Sequence, residues 1–295
     1  MTTTLDWGAS WLVGARGLHY SAEGNNWQAA GDSNYPVYDL IRQKERILCA
    51  TRWGLWQIDG DPPCWQQLHD ETLTEVLAIA PVEAVTTGDP GVVAVSAYGL
   101  ACGRRGEHGA TLWQSHADGL SLNERFSSAV LSLPKDVGNW LVGTEDGVLM
   151  YRVAENRWQR SELTGKPCRA LLYAHGWLWA GIDEGGVWRS ADGLSWQRGG
   201  TGIDGDSIFA LAATADGLLA GSLQGICVGD GQGRWHRSGP GLLVSAVAAH
   251  CDADGPWLAG ATPGGLWRSD DAGSSWRQIG AFDTVRSILP PEETP

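Results

Sequence analysis

A unit of about forty residues recurs along this chain. A short run of small and apolar residues passes through a glycine into a second run and closes near a tryptophan. The clearest copy reads Trp257-Leu258-Ala259-Gly260-Ala261-Thr262-Pro263-Gly264-Gly265-Leu266-Trp267-Arg268-Ser269-Asp270-Asp271-Ala272-Gly273-Ser274-Ser275-Trp276. A second runs from Trp177 to Gly181 and from Gly185 to Trp196, and weaker copies fill the remainder. A strand-rich unit of this length cannot bury its apolar faces alone, so successive copies must pack on one another.

The closing tryptophans count the units. Trp27, Trp65, Trp158, Trp196, Trp235 and Trp276 stand 38, 93, 38, 39 and 41 residues apart, so the long gap must hold one further unit. We assign it to Thr111–Leu122, with Leu122 in place of the tryptophan. The reading is an all-β, seven-bladed β-propeller of four-stranded antiparallel blades, one domain over residues 1–295. Period-two runs such as Ile208-Phe209-Ala210-Leu211-Ala212 support strands, and no stretch holds helical spacing for three turns. The 17 tryptophans then become wedges between sheets, because a large flat ring buries much apolar area. Thr3–Trp7 and Val285–Leu289 compete for the innermost strand of the first blade. The C-terminal segment matches the repeat better, and Pro290-Pro291 ends it.

A net charge of −13 excludes nonspecific nucleic-acid binding, which needs a basic surface. The chain opens without a basic and apolar leader, and no segment is long and apolar enough for a membrane helix, so a cytoplasmic location without membrane insertion is expected. Cys49, Cys64, Cys102, Cys168, Cys227 and Cys251 show no C-x-x-C spacing and read as free thiols. The seven histidines form no ligand motif; no metal and no cofactor are expected.

Ser269-x-Asp271-x-Gly273-x-Ser275-Trp276 matches the Asp-box, or bacterial neuraminidase repeat. Ser190-x-Asp192-Gly193-x-Ser195-Trp196 is a copy one residue shorter, and Ser21-x-Glu23-Gly24-x-Asn26-Trp27 is more degenerate. The chain therefore resembles the Asp-box propellers, which include sialidases, xyloglucanases, sortilin-type receptors and photosystem II assembly and stability factors. In the box an Asp accepts hydrogen bonds from nearby backbone N–H groups while glycine takes a positive φ, so Asp192 and Asp271 read as turn formers.

In a blade with strands a to d from centre to rim, a–b and c–d turns share one face, and b–c turns and d–a links share the other. The resemblance places function on the b–c side, opposite the boxes, at the mouth of the channel. Candidates there are Arg16, Arg52, Arg169 and Arg286 with Tyr38, which are expected to hold an anionic ligand. Arg169, Arg286 and Tyr38 share one inner-strand position, where other blades carry Phe209, Ser245 and Val76. Gly99–His108 reads as an insertion in the b–c turn of blade three, adding Arg104, Arg105, Glu107 and His108 to the set.

A sialidase would need an arginine triad, usually on six blades, with an Arg-Ile-Pro start that this chain lacks. A xyloglucanase-like glycosidase needs two facing carboxylates, for which Glu145, Asp146, Asp183 and Glu184 are the candidates. The reading reached is a binding or assembly module recognising a protein, or a small anionic or carbohydrate ligand, on the b–c face. The alternative is a glycoside hydrolase or lyase using those carboxylates.

Overall fold

A computed structural model describes residues 5–71, 73–82, 91–105, 111–133 and 139–292. Within them the repeat forms seven four-stranded antiparallel sheets, each running in order from inner to outer strand. Blade five comprises Cys168–Ala174, Trp177–Ile182, Gly186–Ser190 and Gln197–Arg198 as strands a to d. Inner strands from all seven blades line one central cavity of about 230 Å³.

The b strands are covered on both faces, which is why they read as small, continuous apolar runs such as Trp11–Ala15 and Trp257–Ala261. Their recurrent glycine has a steric cause. At Gly181 an added Cβ would lie 2.7 Å from Ile208 Cγ2 on the inner strand of the next blade, too close for any side chain. Gly14, Gly143, Gly221 and Gly260 meet the neighbouring inner strand in the same way.

The core lies in the seams between blades. Leu48, Ala50 and Leu55 of blade two, for example, pack against Val76, Ile79, Val92 and Ala94 of blade three. Indole N–H groups on the outer strands join the rims. Trp65 donates to Ala30 O at 2.7 Å, Trp113 to Leu68 O at 3.0 Å, Trp158 to His116 O at 2.8 Å, and Trp235 to Gly199 O at 3.3 Å. Trp276 donates to Ser238 Oγ at 3.0 Å. Each bond reaches the preceding blade and contributes about 0.5–1.5 kcal/mol beyond the buried ring area.

The C-terminal segment closes the ring as expected. Ser287–Leu289 pairs antiparallel with Trp11–Ala15, with Leu12 opposite Leu289 and Gly14 opposite Ser287. Arg42, on the inner strand of blade two, ties both ends of the chain: its Nε donates to Trp7 O at 2.8 Å, and its terminal nitrogens donate to Ser10 O and Pro290 O.

Blade three differs from expectation. Gly99–Arg105 is not an insertion but the c strand, paired with Gly91–Ser96 on one side and Thr111–Ser115 on the other. Thr111–Ser115 is thus the outer strand, and Trp113 takes the rim position expected of Leu122. The rim tryptophans 27, 65, 113, 158, 196, 235 and 276 then stand 38, 48, 45, 38, 39 and 41 apart, one per blade. Leu122 begins a short helix, Leu122–Arg125, in the link to blade four, capped by Ser121 and Glu124.

The Ser–Asp turns behave as turn formers. Asp271 Oδ1 accepts the Ser275 N–H and the Ser269 hydroxyl, each at 2.8 Å, while Ser269 Oγ accepts the Gly273 N–H at 2.8 Å. Asp192 accepts the N–H groups of Leu194 and Ser195 at 2.8 and 2.9 Å. Hydrogen bonds from Ser275 hold the Asp271 carboxyl below the usual range, and those from Ser195 and Leu194 do so for Asp192.

Candidate functional site

Four b–c turns share a local device. In Thr51-Arg52-Trp53-Gly54, Ser96-Ala97-Tyr98-Gly99, Thr144-Glu145-Asp146-Gly147 and Ser222-Leu223-Gln224-Gly225 the leading hydroxyl donates to the glycine carbonyl. It also accepts the N–H of the third residue, at 3.0–3.1 Å. Each glycine has φ between 88° and 121°, a region open to it for want of a Cβ. The two central residues are thereby presented on the b–c face. This hydroxyl-x-x-Gly signal at Ser96–Gly99 would have set the register of blade three from sequence.

A second device aims side chains into the channel mouth. Five inner strands carry a β-bulge at the same register, between Val37/Asp39, Ser127/Ala129, Cys168/Ala170, Ile208/Ala210 and Val244/Ala246. The extra residues are Tyr38, Ser128, Arg169, Phe209 and Ser245. A bulge re-aims its side chain out of the ladder, and these five line the central cavity together with Leu77 and Arg286. Leu77, rather than the buried Val76, is the contribution of blade three.

Arg169 is consumed by structure. Its guanidinium meets both carboxylate oxygens of Glu145, at 2.5 and 3.2 Å, and lies 3.6 Å from Asp183 Oδ2. Asp183 Oδ1 in turn accepts the Ser207 hydroxyl at 2.5 Å. One arginine therefore joins the b–c turns of blades four and five, and two of the four candidate carboxylates are engaged by it. Asp146 and Glu184 stand beside them in the same turns, where the Glu184 N–H donates to Ser207 Oγ at 3.1 Å.

Arg286 is placed differently. Its guanidinium carbon sits 5.6 Å from the Tyr38 ring centroid. It lines the channel and also an adjoining notch of about 430 Å³ between blades seven and one, with Arg16, His19, Phe282 and Asp283. Among the described residues Arg16, Arg52 and Arg286 form no ion pair. His19 packs edge-on against Phe282 at 5.1 Å, its Nδ1 is buried without a hydrogen-bond partner among the described residues, and burial pushes its pKa down.

Arg104 and Arg105 end the c strand of blade three, so they run toward the a–b/c–d face and not toward the channel mouth. Glu107 and His108 lie outside the described residues. Sequence reading missed Asp39. It follows the bulge of blade two and lines the channel, accepting the N–H groups of Leu40 at 2.8 Å and Ile79 at 2.9 Å. Burial pushes its carboxyl up to about 6, against the pull of those hydrogen bonds.

Exposed apolar residues gather on the same face. Trp53 and Tyr98 occupy b–c turns, Leu122 and Phe126 the link from blade three, and Leu223 the b–c turn of blade six; Tyr98 is 72% and Leu122 82% exposed. Leu112, in an outer strand, is the other large apolar side chain exposed among the described residues. His250, Cys251 and Asp252 bring possible metal-ligating atoms together, but in an exposed turn where His250 Nδ1 already accepts the Asp252 N–H at 3.1 Å. No helix among the described residues is long and apolar enough to cross a membrane.

No protein-family model matches the chain, and no curated protein matches it. Solved structures establish the fold. An extracellular domain of a putative hybrid two-component system from B. thetaiotaomicron superposes with a TM-score of 0.66 at 13% identity, covering 86% of this chain and 35% of that one. An ancestral GH74 enzyme gives a TM-score of 0.61 at 15% identity, over 92% of this chain and 40% of that one. BBS1N, solved in complex with ARL6DN, gives 0.61 at 13% identity over 88% and 86%. The chain thus spans well under half the length of the first two. At these identities the likeness defines a seven-bladed propeller and leaves its activity to be argued from its own surface.

Proposed function

We propose that the chain is a non-catalytic propeller of the Asp-box type that docks a protein partner on the b–c face, with an acidic group of the partner received by Arg16 and Arg286. The observation that carries this reading is the segregation of exposed apolar side chains. Trp53, Tyr98, Leu122, Phe126 and Leu223 share one face, whereas scattered single residues would need no explanation. Aromatic anchors beside arginines are the usual energetic centres of protein interfaces. Cations in a recessed notch attract an anion despite an acidic whole, because the local field governs there. Propeller neighbours that are extracellular domains or members of a protein complex agree with such a role.

The hydrolase alternative rests on Glu145 and Asp183 approaching each other at the channel mouth. Arg169 occupies the space between them, where a glycosidic bond and its water would have to enter.

The test is site-specific photocrosslinking in the source cells, with a photoreactive phenylalanine at Tyr98, Phe126 or, as a rim control, Leu112. One partner is expected from the first two positions and none from the third, and Arg286→Glu should weaken the purified complex. Crosslinks at Leu112 alone, or a complex indifferent to Arg286→Glu, would overturn the assignment.

A further inference from the structure

The seam between blades five and six holds a cavity of about 380 Å³ that opens on the face away from the proposed docking surface. His175, Trp177, Trp179, Arg189, Asp216 and Trp235 line it, with glycines forming much of the remaining wall. Its origin is visible in the repeat. Pairing Ser190–Trp196 of blade five with Gly229–Trp235 of blade six sets Gly229 against Ser190, Gly231 against Asp192, and Gly233 against Leu194. In the seam between blades four and five, Leu194 plugs the space against the cluster of Leu141 and Met150. In the next seam Gly233 replaces that plug with nothing. The turn is held instead by Asp230, which accepts the N–H groups of Gln232 and Arg234 at 2.8 and 3.0 Å.

Arg189 has lost its partners in the same way. Its counterpart in blade seven, Arg268, bonds Asp270 at 2.7 Å and reaches across to Glu23 O. At the position of Asp270, blade five has Ala191. The Arg189 guanidinium therefore lies over the Trp177 ring at 4.7 Å, and its Nε is buried with no hydrogen-bond partner among the described residues. A buried guanidinium donor left unpaired is costly, whereas a carboxylate satisfies two of its N–H groups at once.

We propose that this pocket binds a monosaccharide acid, a pyranose ring bearing a carboxylate. The carboxylate pairs with Arg189, and the indole faces take the apolar side of the ring. Asp216 accepts hydroxyl protons, as does His175 Nδ1, since His175 Nε2 already meets Gly217 O at 3.0 Å and must be its donor. The volume lies at the small end of the ~300–1,000 Å³ typical of ligand pockets, so it suits one ring and not a chain. The site is independent of the docking surface and stands or falls without it.

Tryptophan fluorescence and calorimetric titrations of the whole protein with D-glucuronate and D-galacturonate test this, with D-glucose and benzoate as comparators. At least one uronate should quench saturably and bind tenfold or more tighter than either comparator. Arg189→Gln should lower that affinity at least tenfold. Ala215→Trp, which fills the exposed mouth, should abolish binding with the melting temperature unchanged. No saturable response to either uronate overturns the proposal. So does equal binding of glucose or benzoate, or a uronate affinity unaltered in the two variants.

Discussion

Replacing Asp39 with Asn tests the electrostatics of the channel. Its carboxyl is raised from 3.8 to about 6 because the channel wall removes it from water. Between those values the folded protein holds a proton that the unfolded chain has released, so stability falls as pH rises through the window. That difference corresponds to about 3 kcal/mol once Asp39 is ionised. With an unfolding entropy of about 2.1 cal/mol/K per residue, 295 residues convert this to about 5 °C in melting temperature. Asn cannot ionise, but it has one carbonyl oxygen for two N–H groups, those of Leu40 and Ile79. The variant should therefore melt at or below the parent near pH 4 and gain about 5 °C on it by pH 7. Scanning calorimetry of both proteins at half-unit pH steps measures that difference, in which the titration of every other carboxylate cancels. A difference flat from pH 4 to 7 would refute the argument that Asp39 is desolvated; one of opposite slope would mean that its hydrogen bonds outweigh burial.

Asp271→Ala removes three acceptor contacts from one turn and should cost about 1–2 kcal/mol by chemical denaturation, with docking intact below the transition. Arg42→Met should cost about 2–3 kcal/mol and speed proteolysis of both termini, since it releases Trp7, Ser10 and Pro290 together. Glu124, capping the short helix and paired with Arg160 at 2.5 Å, has its carboxyl pulled down to about 2, chiefly by that arginine. Its contribution is present above about pH 4.5 and lost as pH falls toward 2, so Glu124→Gln should destabilise at pH 7 and match the parent near pH 2.

The ring was legible in the chain because its causes are local or repeated. A glycine where the next blade crowds the b strand and a tryptophan at the rims recur at a period that one line of sequence displays. Closure by Val285–Leu289 followed from the same repeat. Blade three misled because Trp113 resembles the c-strand tryptophans as closely as the rim ones. The turn Ser96–Gly99, which settles the register, carries its information in a hydroxyl three residues before a glycine and not in apolar pattern. Charge was less legible still. Arg169 and Arg286 align at the same inner-strand position and look alike in sequence, although the bulge is at Arg169 and not at Arg286. One nevertheless meets Glu145 and Asp183 from turns 24 and 14 residues away, and the other meets the ring of Tyr38. Asp39 titrates upward and Arg189 Nε has no hydrogen-bond partner among the described residues for the same reason: solvation and ion pairing are set by side chains contributed from neighbouring blades, at distances that exist once the ring has closed.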